Sequence, residues 1–110
     1  MQHTVTQDGE ITVIALKGDI DLEFSSSMRK VLLNSIAKSR GVAVDLSAVS
    51  MIDSSGVASL LEAFQTARKQ GKKLILAAPP DAVLRVLKLA RLDTVFQMAD
   101  DVASAKRALA

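Results

Sequence analysis

The residues of this chain best suited to chemistry sit together as Asp53-Ser54-Ser55-Gly56, an acid followed by two hydroxyls and a glycine. Asp and Ser oxygens accept the unpaired backbone N–H groups at a helix start, so ordinary capping accounts for the run. The same position also suits a covalent switch. A phosphate on Ser54 would add about −1.5 to −2 charge at neutral pH, and a helix N-terminus tolerates that charge through its dipole and free N–H groups. The domain would stay folded while the surface around the serine changed in sign and bulk. Asp19 and Asp21 form a second acidic feature, two residues apart. Such a pair can bind a cation, but it more commonly accepts backbone N–H groups within a loop.

Catalytic alternatives find little support. His3 is the only histidine and lies near a chain end, where fraying is usual, and there is no Cys. A histidine base, a thiolate metal site and a disulfide framework are therefore not expected. A seryl hydrolase needs a base behind its nucleophile, and the glycines form neither a G-x-G-x-x-G nor a P-loop pattern. The reading is a non-enzyme with no metal and no cofactor.

The 110 residues have the size of one domain, taken here as 1–110. Apolar residues make up 49%, yet the only aromatics are three Phe, so the core must be built from Val, Leu, Ile, Ala and Met. Basic residues exceed acidic ones by only two, and base-stacking aromatic platforms are missing, so no direct nucleic-acid partner is expected. Met1-Gln2-His3-Thr4 lacks the basic start and apolar stretch of a signal peptide, and no apolar run approaches the ~20 residues that span a bilayer. The expectation is a cytoplasmic protein without membrane insertion, compatible with a peripheral place beside a membrane complex.

The elements that must position the serine follow from periodicity. Thr4 to Gln7 reads as a short strand before a turn at Asp8-Gly9, and Ile11 to Lys17 as a largely buried strand. Gly18-Asp19-Ile20-Asp21 reads as a structured loop. Ser25, Ser26 and Ser27 offer N-caps to a first helix through about Ala37, with Met28, Val31, Leu32, Ser35 and Ile36 as its inward stripe. Val42 to Leu46 has the form of a central strand, and Ser47 to Asp53 that of a loop. Asp53 or Ser54 caps a second helix, whose stripe is Val57, Leu60, Leu61 and Phe64 and which ends at Gln70-Gly71. Ala58, Ser59, Glu62 and Gln65 fall off that stripe, on a face that begins beside Ser54. Lys73 to Ala77 is a further strand, and Pro79-Pro80-Asp81 opens a third helix with Val83, Val86, Leu87 and Ala90 inward. Thr94 to Phe96 reads as a short edge strand, followed by a helix from Asp100-Asp101 containing Val102, Ala105 and Leu109. This alternation predicts an α/β fold, a mixed β-sheet packed with about four α-helices. It does not decide whether the helices cover one face or both.

The run Val42-Ala43-Val44-Asp45-Leu46 through Met51-Ile52-Asp53-Ser54-Ser55-Gly56-Val57 resembles the signature of the STAS domain, in particular that of bacterial anti-sigma-factor antagonists. The likeness extends to Leu16-Lys17-Gly18-Asp19-Ile20-Asp21, to Gln70-Gly71-Lys72-Lys73-Leu74, and to the span from Val83 to Phe96. The resemblance implies a STAS-like fold and a partner-switching mechanism. The unphosphorylated antagonist binds an anti-sigma factor, itself a serine kinase, and phosphorylation of the first serine after the Asp, here Ser54, switches it off. A cognate phosphatase restores binding. It further implies that Asp53 orients the loop beside Ser54 and Ser55, that Gly56 allows close approach of the partner's backbone, and that Asp19 and Asp21 belong to the contact surface. With these we group Ala58, Ser59 and Glu62.

Two departures stand out. The family often carries Gly within Leu89-Ala90-Arg91-Leu92, where this chain has Arg91 and an extra positive charge. Leu22-Glu23-Phe24 is more apolar than an exposed approach to the first helix would require, and Phe24 reads either as a helix-start staple or as an anchor for a partner. The competing reading is a STAS subunit bound to the ATPase of a lipid-transporting ABC complex. In those relatives the residue after the Asp is usually Thr, so Ser54 leans towards the kinase-regulated antagonists.

Overall fold

The computed structural model describes residues 2–110; Met1 lies outside them. Its five strands form a mixed sheet whose spatial order is the order of the chain. β1 (Gln2–Asp8) and β2 (Ile11–Ile20) are an antiparallel hairpin. β3 (Gly41–Ile52), β4 (Lys73–Ala77) and β5 (Gln97–Ala99) then add in parallel. Four helices follow the four parallel strands: α1 (Leu22–Lys38), α2 (Ser54–Lys69), α3 (Asp81–Leu89) and α4 (Val102–Leu109).

The helices divide between the two faces. Ile14, Leu16, Val44, Leu46 and Leu76 of the sheet meet Met28 and Leu32 of α1, Leu60 and Ala63 of α2, and Val83 and Leu87 of α3 in the larger core. Val13, Ala43 and Ile75 point the other way, onto Ala105 of α4, with Val102 and Leu109 around it. Strands buried on both faces explain the nearly continuous apolar runs at 42–46 and 74–77.

Several boundaries differ from the sequence reading. The stretch 18–21 is not a loop: β2 continues to Ile20 because β3 runs on beside it to Ile52. β3 advances one extra residue on β2 twice, between the pairs Ala15↔Asp45 and Lys17↔Ala48 and again between Gly18↔Val49 and Asp19↔Met51. Such bulges leave a residue unpaired and bend the strand without ending it. The first helix starts three residues before Ser25, capped by Asp21, whose Oδ1 accepts from Phe24 N at 3.1 Å. Ser25 lies inside the helix and donates its hydroxyl to Leu22 O. Phe24 packs against the core and faces His3 with ring centroids 6.2 Å apart, which fits a residue stapling the helix start. The last strand comes three residues later than expected, because Thr94 to Phe96 form a turn that places Phe96 in edge-to-face contact with Phe64. Ala90, expected inward, is exposed at the end of α3, and Arg91 follows it in the left-handed region at φ 59°.

Candidate functional site

β2 and β3 end side by side at the pair Ile20↔Ile52, and each passes through a single Asp into a helix. Asp21 caps α1 and Asp53 caps α2 with nearly the same backbone geometry (φ −111° and −100°, ψ −178° in both). The two junctions are joined by Asp53 N, which donates to Ile20 O at 3.0 Å. The acids expected to neighbour the serine, Asp19 and Asp21, are therefore brought beside Asp53 and Ser54.

The two serines have different environments. Ser55 donates its hydroxyl to Asp53 Oδ1 at 2.5 Å, and Gly56 N donates to the same oxygen at 3.0 Å. These two bonds, the Ser55 hydroxyl foremost, hold the Asp53 carboxyl below its ordinary pKa against a smaller opposing effect of desolvation. Ser55 is thus committed to the cap. Ser54, the first residue of α2, is exposed, and its hydroxyl enters no hydrogen bond among the described residues. It is the hydroxyl at this junction free to be modified without breaking a contact.

Gly56 is buried, and the close approach it permits is internal. A Cβ there would stand 2.6 Å from Ile20 Cγ2 and 2.8 Å from Ile52 Cγ1. This corrects the role expected for it, since the space is taken by side chains of the chain's own strand ends, Ile20 and Ile52, and not left for a partner's backbone. Ser59 is corrected likewise. It is not on the solvated face but buried between α2 and α1, its hydroxyl 3.4 Å from Ser25 O. The inward stripe of α2 is rotated accordingly: Val57, Leu60, Ala63 and Ala67 are buried, while Leu61 and Phe64 are only partly so. Ala58 remains exposed one turn beyond Ser54. Glu62, a turn further, is half-buried and paired with Arg29 of α1.

Two apolar side chains in this region are exposed: Leu22, in the run noted from the sequence as unusually apolar, and Met51, to which the sequence reading gives no role. Leu22 is 74% exposed next to the Asp21 cap, and Met51 is 46% exposed opposite Asp19. For Leu22 the signal is an apolar residue directly after a capping Asp, at a position the helix stripe does not use; for Met51 no comparable signal exists in the sequence. Their setting is acidic. Because every helix follows a parallel strand, all four N-termini lie at one end of the sheet, each with an Asp at or next to it: Asp21, Asp53, Asp81 and Asp101. The last helical turns carry Lys38, Arg68, Lys69, Lys88, Lys106 and Arg107 at the opposite end. Both placements complement the helix dipoles. No helix among the described residues is long and apolar enough to cross a membrane, and none of their acidic or His side chains group as a metal site would require.

Known structures share this architecture. A Thermotoga maritima protein described as an anti-sigma factor antagonist superposes with a TM-score of 0.89 at 19% identity, covering 97% of this chain and 93% of its own. An anti-sigma factor antagonist from Mycobacterium paratuberculosis gives 0.88 at 22% identity, with 98% and 92% covered. The Bacillus cell fate determinant SpoIIAA in its phosphorylated form gives 0.77 at 20% identity, with 97% and 99% covered. At these identities the likeness establishes the fold. The family model of the STAS domain matches residues 2–105, nearly the whole of the chain. With its mixed sheet, four helices and acid-capped strand–helix junctions, the chain belongs to the STAS domain family.

Proposed function

We propose that this chain is an anti-sigma-factor antagonist that binds a serine-kinase anti-sigma factor while Ser54 is unmodified and is released when Ser54 is phosphorylated. The observation that carries the reading is the division of labour at the cap. Ser55 is spent on Asp53, whereas Ser54 presents a free hydroxyl at the first turn of α2. The Bacillus relative, solved in a phosphorylated form, supports a phosphate as a natural occupant of this fold. The physics of the switch is local. A phosphate on Ser54 is stabilised by the α2 dipole but adds charge to a junction that already holds Asp19, Asp21 and Asp53, and it sets a strongly hydrated group at the same strand ends that expose Leu22 and Met51. A partner that covers those two side chains in the unmodified state would have to bury the phosphate, so binding is lost while the core stays intact. Asp19, Asp21, Ala58 and Glu62 frame the contact surface, Asp53 and Ser55 hold its geometry, and Gly56 and Ser59 support it from below. The protein acts by contact in the cytoplasm, without catalysis, and a phosphatase resets it.

Intact-mass spectrometry of the protein from its native host, with and without phosphatase, tests this. The expected result is a phosphatase-sensitive gain of one phosphate that disappears in Ser54→Ala and persists in Ser55→Ala. Unmodified protein under all growth and stress conditions, co-purifying with an ABC ATPase, would overturn the reading.

A further inference from the structure

The two edges of the sheet are treated differently. β5 is three residues long, and so short an edge offers little to pair with. β1 is seven residues long, pairs with β2 residue for residue without a bulge, and contains no Pro and no Lys. Of the devices that ordinarily keep an edge strand from pairing it carries only a charge at its last residue, Asp8. β1 is also lightly supported: all seven residues are exposed, and beyond its ladder it meets the helices through His3 against Phe24 of α1 and Asp8 paired with Lys106 of α4. Its ladder to β2 is its main attachment, and its outer row of N–H and C=O groups is unpaired.

We propose that β1 pairs antiparallel with β1 of a second copy of this chain, about a two-fold axis through Val5. The register follows from the strand's own sequence. Centring on Val5 overlaps all seven residues, whereas centring on Thr4 or Thr6 overlaps only Gln2–Thr6 or Thr4–Asp8. In the Val5 register Val5 meets its own copy, Thr4 meets Thr6, His3 meets Gln7, and Gln2 meets Asp8. The two Thr–Thr contacts and the Val–Val contact suit opposed strand positions, and no like charges face each other. Val5 is 45% exposed on the face that carries α1, and its copy would cover it. Because β2 is antiparallel to β1, the two copies of β2 run in opposite directions in the joined ten-stranded sheet. The two Ser54 junctions would then lie at opposite ends of one particle, each open to its own partner. Seven residues of edge make a small interface, so the dimer is weak and concentration-dependent.

The chain has no Cys, which makes the register directly testable. Opposed Cα atoms in an antiparallel pair lie about 4.5 or 5.5 Å apart, within the reach of a disulfide. Under mild oxidation Val5→Cys should form disulfide dimers about tenfold faster than Gln65→Cys, a solvent-exposed control on α2. Thr4→Cys and Thr6→Cys should link to each other when mixed, but neither to itself. Sedimentation of the unmodified protein should show a dimer growing with concentration, and Val5→Lys should abolish it by opposing two charges at the axis without altering the circular dichroism spectrum. A monomer at about 1 mM would overturn the proposal and leave the edge for a strand of another protein. Val5→Cys linking no faster than the control, or position 4 or 6 linking to itself faster than position 5, would overturn it as well.

Discussion

Replacing Gly56 by Ala sets two effects of opposite sign against each other. A glycine inside a helix costs roughly 0.5–1 kcal/mol relative to Ala, so an unobstructed change would stabilise the protein by that amount. Here the new methyl would arrive 2.6 Å from Ile20 Cγ2, 2.8 Å from Ile52 Cγ1 and 3.2 Å from Ile52 Cδ1. Favourable carbon–carbon contact lies at about 3.5–4.0 Å, so the first two are deep in the repulsive region. Neither obstacle can swing aside easily, because both isoleucines are buried and β-branched and their χ1 angles are restricted. Relief requires α2 to lift from the strand ends, and overpacking of this kind costs typically about 1–3 kcal/mol. The repulsive effect wins, and we expect a net destabilisation of about 0.5–2 kcal/mol, read as a lower urea midpoint by circular dichroism at unchanged m-value. Ile20→Ala removes the nearest methyl, so Gly56→Ala should cost less in that background, with a favourable coupling of about 1 kcal/mol. A stabilised Gly56→Ala, or additivity with Ile20→Ala, would refute the argument that Gly56 serves internal packing.

Other substitutions probe the helix ends and the cap. Arg91 occupies left-handed backbone after α3 (φ 59°), so Arg91→Gly should raise stability by about 0.5–1 kcal/mol in a urea titration. Gly71, at φ +71° after α2 with nothing within 4 Å of its absent Cβ, should behave oppositely, Gly71→Ala losing about 1 kcal/mol through backbone conformation alone. The Asp53 carboxyl lies below its ordinary pKa in the fold, so its stabilising contribution is complete above the unfolded-state value and fades as the pH falls through the folded one. Asp53→Asn should accordingly be less stable than the parent at pH 7, and the gap should close in the acid range below the ordinary carboxylate pKa. Ser55→Ala removes the largest cause of that lowering, and carbonyl NMR should show Asp53 titrating at a higher pH, whereas Ser54→Ala should leave it in place.

Much of this architecture was legible in the sequence, and the failures share a cause. α2 and α4 are legible because each has a periodic apolar pattern and a cap, and β4 because its continuous apolar run is bounded by Gly71 and Pro79-Pro80. The stretches 18–21 and 47–52 looked like loops because Gly18, two acids and three small or polar residues suggest turns. They are strand because each supplies the other's ladder, with β3 bulging to stay in step. The start of α1 went to the triple serine, while Asp21 holds it: local capping chemistry is equally good at both places, and only the end of β2 selects between them. At the candidate site the paired ends of β2 and β3 bring the segment of Asp19 and Asp21 to the junction of Asp53 and Ser54. Ser59 and Gly56 face inward because small residues are what a tight helix crossing and a strand end require, and a sequence shows smallness without showing what it accommodates. Met51 has no legible role because its exposure depends on the same extension of β3, which the sequence pattern does not show.

Because the strands lie in space in the order in which they occur in the chain, no strand has to be inserted between two others already paired. The parallel pairings join Ile11 to Gly41, Gly41 to Lys73 and Ile75 to Gln97, so the closures span about twenty to thirty residues, and the loop entropy opposing them changes little from one step to the next. Growth from a ribosome then meets the topology in its natural direction. The hairpin and α1 can wait for β3, and each later strand–helix unit docks on a sheet edge already present. The junction bearing Ser54 is completed as soon as the first turn of α2 emerges, well before α3, β5 and α4 have been made.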